Sequence, residues 1–76
     1  IALIPAGLVF QGTWDARTQA EGGAAGNKGN PALTSGVGTT GNFYIVSNAG
    51  SVNLDGITDW KVGDWAVFIE QSMGKN

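Results

Sequence analysis

The chain has 76 residues, 13 of them glycine, with no cysteine and no histidine. That describes one small domain or part of one, with no disulfide, no thiolate metal site and no imidazole to serve as general base. The formal charge is −2, with Lys and Arg numbering only 4 and scattered, which argues against nucleic acid or an anionic membrane as partner; no apolar run approaches the ~20 residues of a spanning helix.

A core this small is marginal by itself, and without staples the missing burial comes from oligomerisation or from further chain. The chain opens on Ile1 and closes in Ser72–Asn76, and it reads as a piece of a longer polypeptide. Ile1–Ala6 is a lead-in strand or linker broken at Pro5, residues 7–71 form a small β module, and residues 72–76 start a tail or linker. The glycine content is far above the ~7% average and points to turns.

Leu8–Trp14 alternates, with Leu8, Phe10 and Gly12 on one face and Val9, Gln11 and Thr13 on the other, the period of a strand. Trp14 falls at its end, at a rim or a buried corner. Residues 19–31 read as a flexible loop: Gln19–Asn30 is Gly, Ala and Asn with no large apolar side chain, too little to offset its ordering entropy. Ala32-Leu33 anchors its return.

Phe43–Ser47 is the clearest strand, apolar on both faces, so both faces need cover. Val52–Leu54 reads as a short strand, followed by an Asp55-Gly56 turn. Ile57 and Trp60 are three apart, as in a single helical turn or a wide loop. Gly63-Asp64 turns the chain into Trp65–Glu70, where Trp65, Val67 and Ile69 share a face. No stretch repeats at 3.6 residues. The expected fold is all-β: a small sheet or flattened barrel of about five short strands with a long Gly-rich loop and no long helix.

Gly36-Val37-Gly38-Thr39-Thr40-Gly41 matches G-x-G-x-x-G, but a dinucleotide site needs a strand before it and a helix after it, and here a strand follows. Asp55, Asp59 and Asp64 fall within ten residues. Paired carboxylates can cleave a glycoside only if burial or a like charge raises one pKa; the plain alternative is that Asp55 and Asp64 hydrogen-bond to turn backbone. Their spacing lacks the tight alternation of a calcium loop. Trp14, Trp60, Trp65 and Tyr44 form either the core or a stacking platform for sugar rings. Trp60, flanked by Asp59 and Lys61, is the candidate platform residue. No serine has a histidine to activate it, so no catalytic residue, cofactor or metal is expected.

The segments GLVFQGTWDA (7–16), PALTSGVGTTGNFYIVSNAGS (31–51) and ITDWKVGDWAVF (57–68) together resemble a small module of tail fibres, tailspikes and baseplate-associated proteins of tailed bacteriophages. The resemblance covers most of residues 7–69. It implies a virion structural protein, made in the host cytoplasm, usually an elongated homotrimer that contacts neighbouring tail proteins and supports host attachment. Ala20–Asn30 departs from that pattern as an insertion, and the pattern's further aromatic strand beyond Phe68 is missing. The expected subunit contact uses Phe43, Ile45, Trp65, Val67 and Phe68. The alternative is a carbohydrate-binding module that recognises a host surface glycan through Trp60, Asp59 and Asp64.

Overall fold

The computed structural model describes residues 7–69. The expected lead-in segment at 1–6 and the tail from residue 70 onward lie outside the described residues. The fold is mostly β: a three-stranded mixed open sheet with no α-helix and one 3-10 turn among the described residues. The strands are β1 (Val9–Asp15), β2 (Asn42–Asn48) and β3 (Trp65–Val67), in spatial order β1-β2-β3. β1 runs parallel to β2, and β3 antiparallel to it.

The parallel pair gives the long Gly-rich segment a task. Parallel neighbours need a crossover of a dozen residues or more, usually helical. Here residues 16–41 make that crossover almost entirely as loop, with one 3-10 turn at Gln19–Glu21. Three strands form where about five were expected, and the sheet stays open rather than closing into a flattened barrel. Val52–Leu54 does not extend into a strand. Leu54 and Ile57 exchange both backbone hydrogen bonds at 3.0 Å, and the turn between them ends the ladder after that one bridge. Asp55 takes φ +54° there, and Asn53 Oδ1 accepts the Gly56 N–H at 2.9 Å. Ile57–Trp60 is the wide loop of the two alternatives, bridged back at Gly50–Trp60.

A bulge in β1 decides which residues face which side. Phe10 pairs with Phe43 and Gly12 with Tyr44, leaving Gln11 as an extra residue. Without it Phe10 and Trp14, four residues apart, would share a face. With it, Phe10 joins Phe43 on one face and Trp14 joins Val46 on the other, because an inserted residue shifts the two-residue period. Gly12 has φ +125°, a conformation open to glycine and costly for other residues.

The inner face carries the core. Trp14, Ala16, Val46, Val52, Trp60 and Ala66 are buried together, with Leu33, Tyr44 and Leu54 packed against them. Trp14 and Trp60 meet edge to face, centroids 5.1 Å apart and planes at 87°, a favoured arrangement of ring quadrupoles. The covering layer is tied on by backbone: Val52 N–H donates to Ala16 O at 3.0 Å, and Ala16 N–H to Asn48 O at 3.1 Å. The shortest principal axis is 17 Å, which fits one sheet with one layer over it at the ~10 Å spacing of packed layers.

Candidate functional site

The outer face of the sheet has no such cover among the described residues. Cross-strand pairing places Val67 beside Phe43 and Trp65 beside Ile45, and the bulge adds Phe10. Phe43 is the centre. The Trp65 ring stacks on it at 4.5 Å and 11°, and the Phe10 ring leans on it at 5.5 Å and 48°. Phe43 itself is fully buried, whereas Phe10 is 49% exposed, Trp65 39% and Val67 38%. None of these five side chains is charged. Cross-strand aromatic and β-branched neighbours stabilise a sheet, and their open sides form a continuous apolar surface.

Four of the five expected contact residues, Phe43, Ile45, Trp65 and Val67, therefore share one face. Phe68 does not. Its backbone N–H donates to Asn42 O at 3.0 Å, and alternation turns its side chain to the inner side, where Gly38 rests against it: a Cβ there would lie 3.0 Å from Phe68 Cγ. Phe10 takes the place expected for Phe68. Period-2 reading of β1 did find Phe10 as a face residue, but no composition signal marks an unpaired Gln11.

Trp60 is a core residue, 6% exposed. Its Nε1–H donates to Val52 O at 3.0 Å and to Ile57 O at 3.1 Å, so it has no free ring face to offer as a sugar platform. Asp59 pairs with Lys61 at the surface. Asp64 Oδ2 accepts the Lys61 N–H at 2.9 Å, the turn role expected of it. Asp55 makes no such side-chain bond; its N–H donates to Ser35 Oγ at 2.6 Å. Gly36–Gly41 leads into β2, so no helix N-terminus faces it.

The 19–31 segment is exposed, as its composition implies, but it is tied to the body by polar bonds that its lack of apolar residues did not foretell. Asp15 and Asn30 exchange backbone bonds at 3.0 and 3.1 Å. Trp14 Nε1–H donates to Lys28 O at 3.3 Å, and Gly29 is buried against that indole. The Asn30–Pro31 peptide bond is cis. Glu21 Oε1 accepts the N–H groups of Thr18 and Ser51 at 3.0 and 2.9 Å, and Oε2 accepts the Ser51 hydroxyl at 2.9 Å. These donors, Thr18 N–H first, lower its pKa to about 2, since hydrogen bonds to the ionised form favour it. Arg17 forks onto both oxygens of Asp15 at 2.8–3.2 Å and holds that carboxyl below its ordinary value.

No group of three or more Asp or Glu residues among the described residues is placed to hold a metal ion, and no helix among them is long and apolar enough to cross a membrane. No family model matches the chain, and no curated protein or solved structure matches it either.

Proposed function

We propose that the chain is a structural and adhesion module of a phage tail protein, a tail fibre, tailspike or baseplate component, that assembles as a homotrimer and supports host attachment. The observation that supports it is the outer face: Phe10 and Trp65 flank the buried Phe43 ring and are themselves 49% and 39% exposed, on a sheet whose other face already holds the core. An exposed apolar patch of this kind marks an interaction surface. The virion setting and the number three come from the sequence resemblance. Geometry is compatible with three: sheets turned inward around a threefold axis bury three apolar faces at once.

Sedimentation of the intact protein tests the assembly. The wild type should run as a trimer, and Trp65→Glu should run as a folded monomer, because a buried charge without a partner is too costly to keep at a subunit contact. A stable, non-aggregating wild-type monomer would defeat the proposal. Mass spectrometry of purified virions tests the setting; absence of the chain from the particles would defeat that part.

A further inference from the structure

The inner side of the sheet carries a second feature that the assembly reading does not use. A groove of about 740 Å³ lies between the 33–39 loop, the 54–57 turn and the end of β3, within the ~300–1,000 Å³ of small-ligand sites. Tyr44 and Phe68 contribute aromatic rings to its lining, and Trp60 closes part of the wall. Ser35 Oγ accepts the Asp55 N–H at 2.6 Å and so joins the two walls, holding the groove in shape.

The lining is polar in a particular way. Thr39, Asn42, Tyr44 and Asp55 all line the groove, and none of these four side chains has a hydrogen-bond or ion-pair partner among the described residues. They offer hydroxyls, an amide and one carboxylate beside apolar ring surface. Among the described residues no Lys or Arg lines the groove, so there a phosphate, sulfate or carboxylate ligand would meet no countercharge and one like charge. A wholly apolar ligand would leave these polar groups desolvated and unpaired, which costs more than the contact returns. The remaining chemistry is a neutral polyol with an apolar C–H face and hydroxyls around its rim.

We infer that this groove binds a neutral oligosaccharide segment, with a sugar ring against Tyr44 and Phe68 and its hydroxyls bonded to Asn42, Tyr44 Oη and Asp55. The site is different from the Trp60, Asp59 and Asp64 set. It does not rest on the assembly reading, since a monomer carries the same groove.

The intact protein, titrated with a panel of neutral gluco-, galacto-, manno- and N-acetylglucosamine oligosaccharides and followed by amide NMR, tests it. One sugar class should bind and shift the signals of Asn42, Tyr44 and Asp55. Tyr44→Phe, which keeps the ring in the core, and Asn42→Ala should each weaken binding about tenfold, the loss of one useful hydrogen bond. Asp59→Ala should leave binding unchanged, and so should Trp65→Glu even where it dissociates the assembly. No binding by any member of the panel at millimolar concentration would overturn the inference. Binding that both groove variants leave intact, or a preference for sialylated or phosphorylated sugars, would overturn it as well.

Discussion

Phe43 and Trp65 lie ring on ring, 4.5 Å apart and 11° from parallel, yet Phe43 is fully buried and Trp65 is 39% exposed. The pairing register explains the contrast. Trp65 stands opposite Ile45, one step along from the Phe43–Val67 pair, so its ring reaches diagonally across Phe43, as long side chains do between strands. Phe10 closes the other side. Phe43 is thus the interior of a three-ring cluster whose flanking rings have no interior of their own.

Replacing the two tryptophans of the 57–68 stretch should therefore give different phenotypes. Trp60→Ala removes a core ring and leaves the Val52 and Ile57 carbonyls without their indole donor, and we expect a loss of roughly 3–5 kcal/mol in urea denaturation, as for other buried aromatic truncations. Trp65→Ala should cost less than half of that in the dissociated chain and act mainly on sedimentation. Equal stability losses at the two positions would contradict this division of roles.

Gln11 offers a cleaner test of the bulge. Deleting it leaves Phe10 opposite Phe43 and Gly12 opposite Tyr44, so both faces keep their residues and we expect the fold to persist. Deleting both Gln11 and Thr13 instead leaves Phe10 and Trp14 two residues apart in an unbulged strand, which should put Phe10 on the wrong face and unfold the chain, because a one-residue slip flips every side chain before it. In the full-length β1, Gly12→Ala should cost about 1–3 kcal/mol from backbone strain alone, since a Cβ there meets nothing within 4 Å. Circular dichroism and denaturant midpoints report all three; a folded double deletion of Gln11 and Thr13 would refute the register argument.

Gly29 carries the corresponding test of the crossover. A Cβ at this position would sit 2.4 Å from both Trp14 Nε1 and Asp15 O, too close for either to accommodate. Gly29→Ala should displace the loop, break the Asp15–Asn30 pair and uncover Trp14, seen as faster amide exchange at Asp15 and a red shift in tryptophan fluorescence. Cutting Gln19–Asn30 to a two-residue connection should destabilise the sheet, because it removes the Asp15–Asn30 backbone pair, the Glu21–Ser51 bonds and the Lys28–Gly29 cover of Trp14. A stable shortened chain would mean that the polar ties are dispensable.

The Glu21 ties respond to acid. The folded carboxyl sits at about 2, below its ordinary 4.5, so the bonds to Thr18 and Ser51 are complete above the ordinary value and are lost as pH falls through the folded one. Amide exchange at Ser51, corrected for its intrinsic pH dependence, should therefore lose protection between pH 4.5 and about 2. Glu21→Ala should abolish protection at neutral pH and remove the acid step. An unchanged Ser51 amide in that variant would show that other contacts hold the 3-10 turn.

Local chemistry was enough to place β1, β2 and β3, because alternating and β-rich apolar runs bounded by Gly and Asp specify strands without reference to distant residues. It also put Trp65 and Val67 on one face, since two residues in a three-residue strand have no room to slip, and it assigned Asp64 to its turn. Three matters waited for tertiary structure. The role of residues 16–41 depends on β1 and β2 being parallel, a pairing of residues far apart in sequence that composition does not encode. The presence of Phe10 on the outer face depends on one unpaired residue, Gln11, which only the partner strand reveals, whereas Phe68 turns inward by the alternation that groups Trp65 with Val67. Trp60 sits between two charged residues, Asp59 and Lys61, which locally resemble a surface. It is buried because Trp14, set on the face opposite Phe10 by that same bulge, meets it edge to face.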